Sequence, residues 1–115
     1  GANKLSANGA KQIQINFQNY EVLPTDLDGT YKWAEAKSAC DNLIAFGKSD
    51  WYLPTKAELA GLYKHKDEIG GFSDGWNWWS SSEYDSYSAW FLSFSGRQDR
   101  IVKYYDYSVR CIQKN

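Results

Sequence analysis

The chain contains no methionine, one histidine (His65), two prolines and two cysteines among its 115 residues. Each scarcity excludes something. A nucleophile–histidine pair would have to use His65, which lies between Lys64 and Lys66 at the end of an expected helix. There it reads as a surface cation facing the helix C-terminal dipole rather than as a general base. A metal site needs clustered ligands, and one His with two distant Cys supplies no such set. No enzyme activity, metal or cofactor is therefore expected. Basic and acidic residues number 13 and 14, so no charge surplus draws the chain to nucleic acid. No stretch approaches the ~20 apolar residues that cross a bilayer, and direct membrane insertion is not expected. Gly1-Ala2-Asn3-Lys4 lacks the apolar core of a secretory signal. The absence of methionine suggests a fragment, a processed product or a chain trimmed of a tag. The two cysteines, Cys40 and Cys111, fit neither zinc-ligand pairs nor a redox Cys-x-x-Cys. Their spacing leaves open a disulfide closing a long loop or two buried thiols.

Aromatic residues are what the chain has in plenty: 6 Trp, 9 Tyr and 5 Phe. Twelve of these 20 fall in residues 72–107, more than a core of this size needs. The stretch from Trp76 to Gln113 alternates two kinds of sequence. Trp78-Trp79, the period-two set Trp90/Leu92/Phe94, and Val109/Cys111 are apolar and strand-like; Trp90 to Ser95 reads as a half-buried strand ending at Gly96. Between them stand Asp85–Ser88, Arg97–Arg100 and Tyr104–Ser108, blocks of Tyr, Ser, Asp and Arg with the composition of antibody loops.

In chain order, Gly1 to Lys11 is small and polar and expected to fray. Gln12 to Phe17 alternates with period two and predicts a strand, followed by a short second one at Tyr20–Leu23. Pro24 to Gly29 is turn chemistry. Trp33, Ala36, Ala39/Cys40, Leu43 and Ile44 then form one apolar face of a helix ending near Gly47, with Cys40 on the buried side. Trp51–Pro54 is short and extended. Thr55 and Glu58 form a capping box, opening a helix that turns Leu59, Leu62 and Tyr63 inward. Residues 67–75, with three Gly, predict a loop. The result is one α+β domain spanning 1–115, with two helices and a small, mostly antiparallel sheet concentrated in the C-terminal half.

Ser80-Ser81-Ser82 has no glycine elbow around it and reads as strand serine, not as a nucleophile. Glu83, Asp85, Asp99 and Asp106 have the chemistry of calcium ligands, but their loop positions favour separate solvated charges. Trp79 and Trp90 read as core. Tyr84, Tyr87, Tyr104, Tyr105 and Tyr107, each with polar neighbours, read as exposed. The expected recognition face is Asp85, Tyr87, Arg97, Asp99, Arg100, Tyr104, Tyr105, Asp106 and Tyr107, since Tyr offers rigid contact area and Asp and Arg adaptable hydrogen bonds.

Asp50-Trp51-Tyr52-Leu53-Pro54-Thr55-Lys56-Ala57-Glu58-Leu59 resembles the Asp-Trp-Arg-Leu-Pro-Thr-x-x-Glu-Leu signature of a bacterial domain family that includes the C-terminal domain of a collagen-like adhesin. Trp33-Ala34-Glu35-Ala36 with Cys40, Trp78-Trp79-Ser80-Ser81-Ser82-Glu83-Tyr84, Ala89-Trp90, Phe94 with Gly96, and Val109-Arg110-Cys111 extend the resemblance from Trp33 to Cys111. Tyr52 stands where the signature has Arg, which removes any ion pair made there. The resemblance implies a C-type lectin-like fold and a disulfide between the first helix and the last strand, hence Cys40–Cys111. The Glu-Pro-Asn, Gln-Pro-Asp and Trp-Asn-Asp motifs of calcium-dependent sugar binding are absent, since Trp76-Asn77-Trp78 lacks the Asp. Cys40 does not resemble the reactive cysteine pair of the related formylglycine-generating enzymes.

Some members of this fold are variable proteins of diversity-generating retroelements, in which adenine mutagenesis scatters Asn-type codons into Tyr, Asp, Ser and His. Asp85-Ser86-Tyr87-Ser88 and Tyr104-Tyr105-Asp106-Tyr107 are similar to that scatter, within a candidate variable region at about 76–110. No Asn remains between Asn77 and Asn115. The resemblance thus implies a ligand-binding, diversified receptor or adhesion domain at a cell surface, outside the cell or on a phage tail, recognising a protein or glycan. The alternative is a constant carbohydrate- or protein-binding adhesin module.

Overall fold

The computed structural model describes residues 9–72 and 75–115. Its elements run β1 (Lys11–Ile15), β2 (Gln18–Val22), α1 (Trp33–Asp41), α2 (Lys56–Lys64), α3 (Lys66–Ile69), β3 (Asn77–Glu83), β4 (Ser88–Ser93), β5 (Gln98–Val102) and β6 (Ile112–Lys114). The α+β class holds, but the strands form two sheets rather than one. β3-β4-β5 is an antiparallel meander in the C-terminal half, while β1-β2-β6 joins the N-terminal hairpin to the last strand. Tyr20 therefore faces Lys114 and Val22 faces Ile112. Among the described residues no helix is long and apolar enough to cross a membrane.

The expected frayed segment 1–11 divides. Residues 1–8 lie outside the described residues, whereas Ala10 is fully buried and Lys11 opens β1. The first helix is shorter than its apolar face predicts. It stops at Asp41, with Ile44 79% exposed, because Ala45 and Lys48 exchange backbone hydrogen bonds (2.9 Å each) across a tight turn at Phe46-Gly47. Both turn residues have positive φ (53° and 75°), the backbone that such two-residue turns require. Within the expected loop 67–75, Lys66–Ile69 instead makes one helical turn that buries Ile69. Residues 73 and 74 of that loop lie outside the described residues.

Trp78 and Trp79 are adjacent on β3, so their side chains leave opposite faces of the meander. Each enters a different core. Trp79 packs with Trp33, Ala36, Cys40, Trp51, Leu53 and Ala89 on the α1 side. Trp78 packs with Val22, Leu59, Leu62, Leu92 and Ile112 between α2 and the second sheet. The buried indoles all donate hydrogen bonds, as buried Trp ordinarily must: Trp33 to the Ser80 carbonyl, Trp51 to Ala45, Trp79 to Tyr31 and Trp78 to the Asp26 carboxylate. Mid-helix Gly61, unfavourable in a helix by ~1 kcal/mol, is explained by β1. A Cβ there would lie 2.6 Å from Ile15 Cδ1.

Cys40, in the last turn of α1, is bonded to Cys111, which directly precedes β6; their Cα atoms are 5.6 Å apart. The bond ties α1 to the end of the chain across 71 residues.

The capping box at α2 forms as expected. The Thr55 hydroxyl accepts from the Glu58 amide (3.1 Å), and the Glu58 carboxylate accepts from the Thr55 amide (3.0 Å). At Tyr52, the phenol donates to Glu58 Oε2 (2.7 Å), joined by Tyr20 (3.0 Å). Two hydrogen bonds from neutral phenols thus hold the Glu58 carboxylate without a cation. Burial alone raises the Glu58 carboxyl, but the Thr55 amide and the two phenols outweigh it and hold it below its ordinary 4.5. Burial beside this carboxylate pushes Tyr20 up to about 12 and Tyr52 higher still. Because Glu58 has a folded value below its unfolded one, its contribution to stability is present above pH 4.5 and is lost as pH falls through the folded value. Melts of the wild type and Glu58→Gln are expected to differ most near pH 7 and to converge as the pH falls below 4.5. A gap that does not change with pH would contradict this account.

Candidate functional site

The candidate recognition surface is built at one end of the meander. The β3–β4 turn, Tyr84–Tyr87, is closed by Asp85, whose Oδ1 accepts from the amides of Tyr87 (2.9 Å) and Ser88 (2.8 Å). After β5 the chain folds over the same end. The Lys103 amide donates to the Tyr87 carbonyl (2.9 Å), and the Lys103 carbonyl accepts from the Trp33 amide at the start of α1 (3.0 Å). The Lys103 ammonium pairs with Glu83, donates to the Ser86 carbonyl (3.1 Å) and lies 4.5 Å from the Trp33 ring centroid. Three segments distant in sequence are therefore locked together by backbone and lysine contacts.

On this base stands a row of tyrosines. The Tyr104 ring stacks on Tyr105 at 6.2 Å, and Tyr105 stacks on Tyr107 at 6.2 Å. Tyr107 in turn packs against Trp79 and Phe91, both at 5.0 Å. Tyr104 is 71% exposed and Tyr105 49% exposed, and across the end of the sheet Tyr87 is 77% exposed. Tyr107 corrects the sequence reading. It is half-buried against the α1-side core, and its backbone pairs with Tyr31. Burial, and next to it Tyr105, raises its phenol pKa. Its polar neighbours suggest exposure, but its backbone is bridged to Tyr31 and its ring packs beside Trp79.

The remaining expected residues divide between two faces. Phe91 pairs with Asp99 and Trp90 with Arg100, so Asp99 shares the Phe91–Tyr107 face and Arg100 points to the other. Asp99 binds Arg97 (3.1 Å) beside a hollow also lined by Phe91, Ser93 and Phe94. The hydrogen bond from the Arg100 amide, with help from Arg97, lowers its pKa. Arg100 instead lies 4.4 Å over Tyr84 on the α2 side. Asp106 pairs with Lys32 at 3.3 Å, an exposed pair of little energetic weight. Each of Glu83, Asp85, Asp99 and Asp106 thus has its own partner, and no group of three or more metal-ligating side chains occurs among the described residues.

Trp90 is a second correction, because it belongs to neither core cluster. The β3 register shifts between Trp79 and Glu83, and the Ser80 hydroxyl donates to the Trp90 carbonyl across the irregularity (2.7 Å). Of the expected apolar alternates, Leu92 alone is buried. Trp90 is half-buried beneath the Lys56 ammonium (3.5 Å) and the Tyr84 edge (5.8 Å), while Phe94, past the end of β4, is 46% exposed. Ser82 accepts the Lys56 amide at the start of α2 (2.8 Å) and the Ser81 amide donates to Pro54 (2.8 Å), so the serine run ties β3 to α2. His65 sits at the junction of α2 and α3, its Nδ1 3.2 Å from Glu68.

The sequence reading missed two groups. Lys32, Trp33 and Lys103 line a groove with Tyr87 and Tyr104; a lysine between Val102 and Tyr104 in a strand-end block is the only local sign of it. The other is Asp26, in what reads as plain turn sequence. Its carboxylate accepts from Arg110 Nε (2.9 Å) and Trp78 Nε1 (2.9 Å). Arg110, fully buried, also donates through Nη1 to the carbonyls of Leu23 and Gly70. Burial raises the Asp26 carboxyl, opposed by Arg110 and the Trp78 hydrogen bond.

No curated protein matches the chain. The model of the Lcl C-terminal domain family matches residues 8–113, from ahead of β1 into β6. On a match of that extent, the chain belongs to the Lcl C-terminal domain family.

Proposed function

We propose that this domain is a ligand-binding module of receptor or adhesion type, with a C-type lectin-like scaffold and a diversified surface, the variable protein of a diversity-generating retroelement. The observation that carries the reading is the tyrosine row: Tyr104 and Tyr105 stand exposed on Tyr107, which is itself anchored against Trp79 and Phe91. Rigid, pre-stacked aromatics supply contact area with little further entropy loss on binding. Asp85–Tyr87 and Tyr104–Asp106 lie in loops fixed by backbone contacts, so side chains there can change without dismantling a core. The ligand is a protein or glycan on a cell surface, met outside the cell or from a phage tail. Without diversification the same face would serve a constant adhesin module. No catalytic role is assigned to it.

The coding segment for Trp78–Gln113 is expected to have a near-copy beside a reverse transcriptase gene, differing only where the copy carries adenine. Its absence would leave the constant module. Melts test the face itself. Tyr104→Ala and Tyr105→Ala are expected to stay within ~0.5 kcal/mol of the wild type, whereas Tyr107→Ala is expected to cost about 2 kcal/mol through lost packing. A large loss from Tyr105→Ala would make that ring part of the core.

A further inference from the structure

Beside the tyrosine row lies a groove of about 500 Å³, lined by Trp33, Ala34, Tyr87, Val102 and Tyr104 together with Lys32, Ser86 and Lys103. Its two kinds of lining differ in origin. Trp33, Ala34 and Val102 belong to α1 and β5, outside the Tyr/Ser/Asp/Arg blocks that enclose them. Tyr87 and Tyr104 stand in those blocks, one on each loop.

We infer that this groove is an anchor pocket for an apolar side chain of a protein ligand, with a floor supplied by the scaffold and walls supplied by the diversified loops. The inference rests on the recognition-face reading above and narrows its ligand from protein or glycan to protein. The reason is polar satisfaction. A sugar ring brings hydroxyls that each need a partner once desolvated, and an unmet one costs about 1–3 kcal/mol. This groove offers few: its lysines are already engaged, Lys103 by Glu83 and the Ser86 carbonyl and Lys32 by Asp106, which leaves the hydroxyls of Tyr87, Tyr104 and Ser86. What remains uncovered is largely aromatic and aliphatic surface, with Tyr87 77% and Tyr104 71% exposed. Tyrosines so placed are the residue type that dominates protein–protein affinity when covered. The size matches: about 500 Å³ falls within the ~300–1,000 Å³ range of pockets that enclose small ligands. One charge is also available. Lys37 lies 4.5 Å from the Trp33 ring centroid and has no carboxylate within salt-bridge distance among the described residues. It suits an inserted side chain with a carboxylate close by.

N-acetyl-L-tryptophan carries both features and serves as the probe, titrated into the ¹⁵N-labelled domain alongside the methyl glycosides of glucose, galactose and mannose. The expected result is a set of amide shifts confined to Lys32–Ala34, Tyr87 and Val102–Tyr104, saturating in the millimolar range, and none with the glycosides. Ala34→Glu, at an exposed position in the first turn of α1 where an acidic residue is favourable, is expected to fold with an unchanged melt and to lose the probe. Shifts from a glycoside at these amides would assign the groove to sugar instead. No shifts with either probe, shifts scattered elsewhere, or undiminished binding by Ala34→Glu would each overturn the inference. None of these outcomes touches the Tyr104 and Tyr105 melts, so failure of the pocket and failure of the face remain separate results.

Discussion

Asp26→Ala is expected to destabilise the domain by about 3–5 kcal/mol, because it leaves the Arg110 guanidinium buried without its counter-ion. The effect is large because Arg110 has no exposed surface and cannot recover hydration by a side-chain rotation. It is bonded to two backbone carbonyls and lies 4.6 Å from the Phe72 ring. Its Nη2 has no partner among the described residues, so no second acceptor there stands ready. The same substitution removes the acceptor of the buried Trp78 indole, adding an unmet donor in the α2-side core. Loss of this size corresponds to a fall in Tm on the order of 10–20 °C. Asp26→Asn keeps an acceptor oxygen and should fall between the wild type and Asp26→Ala. Replacing the pair together, as Asp26→Leu with Arg110→Met, should recover much of the loss, since a buried ion pair is worth little against apolar residues of similar volume. An Asp26→Ala melt equal to the wild type would show that Arg110 does not depend on this carboxylate.

Removing the Cys40–Cys111 bond is expected to cost roughly 4 kcal/mol, from the entropy that an unfolded chain regains when a loop of this length is opened. Single domains are stable by ~5–15 kcal/mol, so this is a large share of the total. The double variant Cys40→Ala, Cys111→Ala removes the bond and adds a packing loss to the loop term, because both side chains are fully buried. Denaturant melts of the reduced wild type read the loop term, and the double variant should be no more stable than it. The unfolded, unreduced wild type should show no thiol to a titrating reagent. Two titratable thiols would refute the bond.

Much of the local architecture is legible in the residues themselves. Thr55 and Glu58 announce the start of α2 because a capping box is complete within four positions. The alternation from Gln12 announces β1, and the three- and four-residue spacing after Trp33 places Cys40 on the buried side of α1. These signals act between neighbours along the chain, and at these three elements the tertiary packing agrees with them. The end of α1 is less legible: the apolar spacing continues to Ile44, but the turn at Phe46-Gly47 folds the chain back before that spacing can be used.

The tyrosines show where such reading ends. Tyr104, Tyr105 and Tyr107 have similar neighbours, yet the first two are exposed and the third fills a gap beside Trp79 and Phe91. The choice is made by Tyr31, 76 positions away along the chain, through the backbone bridge it forms with Tyr107. Trp90 follows the same rule: the register shift in β3 removes it from the core although its own strand alternates correctly. The sequence by itself determined α1 and α2, the strands β1 to β4, the family and the tyrosine-rich composition of the surface, because their signals lie among near neighbours, whereas α3 and β5 fall in segments that read as loop. Only the tertiary structure decided the split into two sheets, the pairing of Asp26 with Arg110 and which tyrosines face solvent. Those outcomes depend on which distant segment packs against each residue, and burial is a property of both partners.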